Sequence, residues 1–113
     1  MSSPQLPILD LSTDEAQKSL SVFGFRSWSN KLTFRMKRQI REFVKANPRA
    51  ISISCQGFSH ITTLADRGMA TERGEAVRLY IQKLNPEMHT KTLTGAPLQQ
   101  LDESPDHVVL TAR

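Results

Sequence analysis

Cysteine is nearly absent from this 113-residue chain, which carries a single one, Cys55. That excludes an internal disulfide framework and any zinc site built on cysteines. Cys55 lies on the apolar side of an alternating segment and reads as a small buried hydrophobe. Aromatic residues are few: five Phe, one Tyr and one Trp. No strand candidate carries a paired-ring motif for stacking bases, and the GxxG clamp of KH modules is missing. GxGxxG and GxxxxGK[ST] are absent too, so no glycine-rich phosphate loop follows a strand. No apolar run approaches the roughly 20 residues of a membrane span. The opening MSSPQLPILDLSTDE lacks a basic leader and an uninterrupted apolar segment, so no secretory signal is read there. If the parent protein is exported, the chain is expected to be a mature fragment or an excised domain of a larger exported or membrane-anchored protein.

What is present suffices for one domain with one core. Apolar residues make up 38% and charged residues 23%, a globular composition. The formal charge is +4 with a pI near 9.6. That balance suits a polyanionic partner such as nucleic acid, an acidic envelope polymer or a membrane surface.

The central unit runs from Ala50 to Leu84. Ile51, Ile53 and Cys55 alternate with Ser52, Ser54 and Gln56, the period of a strand with one buried face. A polar loop, SHITTLADRG, leads to a helix from Met69, in which Met69, Ala76, Val77, Tyr80, Ile81 and Leu84 form an apolar stripe. Arg73 breaks that stripe, four residues from both Met69 and Val77. A guanidinium there must snorkel to the rim or meet an anion.

Before this unit, residues 1–17 read as a flexible segment, with Leu6 to Leu11 able to dock as an extended edge and Ser12 to Lys18 starting a helical turn. Leu20 to Phe25 is the first strand, Phe23 and Phe25 sharing a face as core residues. Ser29 or Asn30 caps a helix over roughly Lys31 to Ala46, with Leu32, Met36, Ile40, Phe43 and Val44 as its buried stripe. Lys31, Arg35, Arg38 and Lys45 line another face of it, a solvated surface or an electrostatic footprint. Asn47-Pro48 and Asn85-Pro86 stop the two helices. Met88 to Thr94 reads as a third strand, Gly95 to Pro105 as a polar loop and Val108 to Thr111 as the last strand. The order β-α-β-α-β-β predicts an α+β two-layer sandwich over 18–113, two helices on one face of a mixed sheet whose final strand returns antiparallel.

This pattern resembles the OmpA-like, peptidoglycan-associated domain family over roughly Ser21 to Arg113. The resemblance is carried by the helix opening Lys31-Leu32-Thr33, the helix end Lys45-Ala46-Asn47-Pro48, a strand ending in Gly57, and Arg73-Gly74-Glu75-Ala76-Val77-Arg78-Leu79-Tyr80-Ile81. It implies non-covalent binding of peptidoglycan, with an Asp after the second strand and the helix Arg gripping the amine and carboxylate of a diaminopimelate side chain. Arg suits the carboxylate because its fork donates two parallel hydrogen bonds. The chain departs from the family where Gly57-Phe58-Ser59-His60 replaces Gly-His-Thr-Asp, so His60 stands where the Asp belongs. Pro105-Asp106-His107 replaces the paired arginines before the last strand. Asp66 either caps the second helix or supplies the missing carboxylate.

The expected ligand-binding residues are therefore Arg73 for the anion, Asp66, His60 and Ser59 around the same mouth, and Gly57 letting the strand end approach the ligand. No catalytic constellation, metal site or cofactor is read: His60, His89 and His107 lie in three elements, and the carboxylate pairs sit on loop or helix surfaces. The expected function is a non-catalytic binding module of the bacterial envelope, on the periplasmic or cell-wall side, partnered by peptidoglycan or another envelope component. A protein-interaction module that keeps the fold without this ligand is the alternative. Nucleic-acid binding is the rival allowed by the basic first helix, and the missing ring motifs argue against it. The decisive condition is the state of Arg73: an internal acid that neutralises it in a site sealed from solvent removes the wall-binding reading and leaves only the architecture.

Overall fold

In a computed structural model, the structure describes residues 18–98 and 105–113. The expectations for residues 1–17, and for 99–104 of the last loop, lie outside the described residues. The six elements are β1 (Ser19–Phe23), α1 (Phe34–Ala46), β2 (Ser52–Ser59), α2 (Leu64–Leu84), β3 (His89–Pro97) and β4 (His107–Ala112). They form one four-stranded sheet in the order β1-β4-β2-β3. β4 is antiparallel to both β1 and β2, whereas β2 and β3 are parallel. The last strand thus inserts between the first two, and β1, β2 and β3 all run one way. This is the predicted α+β arrangement.

Alternation assigns the sheet faces. Val22, Ile53, Cys55, Val108, Leu110 and Ala112 point to one side and join Met36, Ile40, Phe43, Val77, Ile81 and Met88 in a single core. The opposite face carries a row of rings in register across three strands. Phe23 pairs with His107 and His107 with Phe58, at centroid separations of 4.9 and 5.5 Å.

Several boundaries differ from the sequence expectation for identifiable reasons. β1 stops at Phe23 because Gly24 turns the chain with a φ of 108°, a conformation that costs glycine little. Phe23 and Phe25 consequently fall on opposite sides, with Phe25 packed on the core. Ile51 precedes the paired part of β2 and is 77% exposed, outside the alternation assigned to it. Thr33, not Ser29 or Asn30, caps α1; its hydroxyl accepts from the Met36 amide at 3.2 Å. α2 begins five residues before Met69, because Thr63 and Asp66 form a capping box inside the segment read as loop. β3 continues through Gly95 to Pro97, with one extra residue where pairing passes from Gln56↔Leu93 to Phe58↔Ala96.

That continuation follows from close packing of α2. A Cβ on Gly57 would lie 2.0 Å from the Ala70 carbonyl oxygen, and one on Gly95 would lie 2.5 Å from the Ala70 Cβ. Two adjacent strands lacking side chains there let the second and third turns of α2 rest on the sheet backbone. The first turn is thereby fixed beside the end of β2.

Candidate functional site

The end of β2, the start of α2, the turn before α1 and the residue before β4 meet around a cavity of about 140 Å³. It is lined by Ser59 and His60 from the strand end, by Asp66, Met69 and Arg73 from α2, by Ser27 and Trp28 from the turn, and by Asp106. Four of the five residues expected from sequence, Ser59, His60, Asp66 and Arg73, thus come together. Gly57 does not join them. Its place is under α2 against Ala70, so the approach it permits is that of a helix rather than a ligand.

Arg73 is not the unpaired guanidinium that the sequence reading expects. It is 4% exposed. Its Nε donates to the Ser29 carbonyl at 2.9 Å and one terminal nitrogen to the Arg26 carbonyl at 3.1 Å. The other terminal nitrogen donates to Asp106 Oδ2 at 3.1 Å, an ion pair between a buried guanidinium and a half-exposed carboxylate. The Phe25 ring lies 5.2 Å from its charge centre. Three of its five N–H donors are engaged inside the protein. The anion it was expected to meet from outside is supplied from within.

The same contacts account for Trp28. Its φ of 53° is one a bulky residue adopts only under external constraint. Arg73 provides that constraint by holding the carbonyls on either side, Arg26 and Ser29. The indole is left 62% exposed at the cavity rim.

Asp66 is bound as a cap. Its Oδ2 accepts from the Thr62 hydroxyl at 2.7 Å and amide at 2.9 Å and from the Thr63 amide at 3.1 Å. Those hydrogen bonds, led by the Thr62 hydroxyl, hold its carboxyl below the ordinary carboxylate range. His107 turns its Nδ1 to the Pro105 carbonyl at 2.8 Å, and since that oxygen can only accept, Nδ1 carries the proton.

Sequence reasoning missed Asp106, Ser27 and Trp28. A signal for Asp106 was available: an antiparallel return of β4 starts where β2 ends, and Phe58 does pair with His107. The carboxylate just before β4 had therefore to fall near Ser59. No comparable signal marked the turn at 27–28. Among the described residues, no group of three or more His, Cys, Asp or Glu side chains is placed to hold a metal ion.

No protein-family model matches the chain, and no curated protein does. Solved structures do. The OmpA-like domain of FopA1 from Francisella tularensis subsp. tularensis SCHU S4 superposes with a TM-score of 0.59 at 15% identity, over 84% of this chain and 73% of that one. The cell wall anchor of the T6SS from Pseudomonas aeruginosa gives 0.55 at 12% identity, over 90% and 93%. The chain has the OmpA-like fold. At such identities the likeness concerns architecture, and the OmpA-like signature can be read as packing. Gly74 lets α2 approach the Cys55 carbonyl, Val77 and Ile81 fill the core, and the Tyr80 hydroxyl accepts from Arg41 at 2.9 Å.

Proposed function

We propose that this chain is a non-catalytic binding module of the cell envelope that associates with peptidoglycan through the cavity between β2 and α2. The observation that carries the reading is the gathering of Ser59, His60, Asp66, Arg73 and Asp106 around one mouth of an OmpA-like fold. A stem peptide ending in an amine and a carboxylate needs an anion and a cation side by side, and the Arg73–Asp106 pair offers both. In this reading Asp106 takes the part of the missing family aspartate and faces the amine. The ligand carboxylate competes with Asp106 for the Arg73 fork, while His60 and Trp28 border the rim. An internal acid does neutralise Arg73, which removes the lone-guanidinium grip. The pair is not sealed from solvent, because Asp106 is 39% exposed and both residues line the cavity, so a shared grip stands in its place.

One observation favours a second reading, a protein-interaction module without this ligand: Arg73 is already neutralised and enclosed. Sedimentation with purified peptidoglycan separates the two. The first reading expects the protein in the pellet, with retention lowered at least several-fold by Asp106→Ala and by Trp28→Ala, both at exposed or half-exposed positions. Protein left in the supernatant would establish the second, whereas variants that pellet like the parent would overturn the cavity as the site of contact.

A further inference from the structure

The charges of the two helices are arranged differently. α2 follows the helix dipole, with Asp66 in its first turn and Lys83 in its last, and its inner cations are answered: Arg73 by Asp106, Arg78 by Glu75. α1 matches it at the C-terminal end, with Lys45 in its last turn, but not at the N-terminal one. Its first turn has no acid, yet Arg35, Lys37 and Arg38 stand near that positive end. From Arg26 to Arg49 the sequence holds eight of its fifteen Lys and Arg residues and one of its eleven acids, Glu42. Among the described residues, no ion pair involves α1. Such an arrangement opposes folding, and an external anion would offset the cost.

The geometry of α1 says what kind of anion fits. Its buried stripe is Met36, Ile40 and Phe43, so Phe34, Arg38 and Lys45, at i, i+4 and i+11, form the pole directed away from the core. Phe34 is 69% exposed and lies 5.5 Å beneath the Arg38 guanidinium. Both helices run opposite to the parallel strands β1, β2 and β3, so their N-termini share one end of the molecule. Leu64, the first residue of α2 and 87% exposed, lies at that end, as does Trp28.

We propose that the outward pole of α1 docks on an anionic lipid surface, Arg38 and Lys45 meeting headgroup phosphates while Phe34 enters the interface. A helix face of cations beside an exposed ring, with an exposed leucine at the same end of the molecule, is the composition of an interfacial contact. A single nucleic-acid strand seeks a groove with stacking rings, and an exposed leucine adds nothing to it. None of Phe34, Arg38 and Lys45 lines the cavity, so the proposal stands or falls independently of peptidoglycan binding.

The test uses the whole chain with vesicles of phosphatidylcholine alone or mixed in equal parts with phosphatidylglycerol. Binding is followed by sedimentation and by the emission of Trp28, the only tryptophan. Binding to the mixed vesicles, lost at high salt and absent with phosphatidylcholine alone, is expected. Arg38→Gln and Lys45→Gln should each weaken it about five-fold, and Phe34→Ala about ten-fold. Lys83→Gln, which removes the same charge from α2, should leave it unchanged. Equal binding to both vesicle types, an equal loss with Lys83→Gln, or tighter binding to a single-stranded oligonucleotide than to the mixed vesicles at the same salt would each overturn the proposal.

Discussion

Glu75 shows how a single side chain can tie two elements together without being buried. Its carboxylate accepts from Arg78 on the next turn of α2 and from the Thr92 hydroxyl on β3. Arg78 first, and Thr92 second, hold its carboxyl well below the ordinary 4.5, at about 2. A group whose folded pKa lies below its unfolded one contributes stability above the unfolded value and loses it as pH falls towards the folded value. Stability should therefore be level near neutrality and decline between about pH 5 and 2. Because the side chain is 42% exposed, solvent screening reduces the contribution to about 1 kcal/mol. Urea unfolding at pH 7 and pH 3 measures most of it, and Glu75→Gln should narrow the difference by somewhat over half that amount, since pH 3 still lies above the folded value. Arg73 is the contrasting case. Its break in the apolar stripe was legible in the sequence, and so was its need for an anion. Which anion was not, because Asp106 lies 33 residues away and reaches it only through the insertion of β4 beside β2.

At the scale of elements, identity and order were readable where periodicity was strong. Met36, Ile40 and Phe43 announced α1, while Ile53 and Cys55 announced β2. The early start of α2 was obscured because Leu64 and Ala65 are exposed and carry no periodic signal, although Thr63 and Asp66 sat at capping-box spacing. The far end of β3 was obscured by glycine, which usually marks a turn but here marks contact with a helix. That contact yields a prediction. In Gly57→Ala the new methyl would meet a backbone carbonyl that no rotamer change can remove, so α2 must lift from the sheet. A loss of about 3 kcal/mol is expected, read as a lower urea midpoint at an unchanged slope. An unaltered midpoint would mean that α2 does not rest on β2 as closely as described.

For the molecule as a whole, one core serves both helices and the strands β1, β2 and β4, with Met88 joining it just before β3, and Cys55 lies within it on the central part of β2. Burial pushes its thiol up to about 12, with only a partial offset from Arg78. A disulfide reagent needs both a thiolate and a path to it, and the folded molecule provides neither, since Cys55 is fully enclosed. Modification must therefore proceed through an opening reaction, and the fold says how large that opening is. Freeing Cys55 exposes it to a reagent only if α2 leaves β2, which removes Val77 and Ile81 from the same cluster that holds Met36 and Leu110. Because those residues share one cluster with α1, β1 and β4, the opening that admits the reagent is expected to be global unfolding. Labelling in native buffer should then be at least about a thousand-fold slower than in denaturant, as a domain of ordinary stability requires. Protection should decline with added urea along the slope of the equilibrium transition and fall in proportion in Gly57→Ala. Protection that ignored low concentrations of urea would instead place a local fluctuation between α2 and β2, and the two helices would have to be treated as separately stable units.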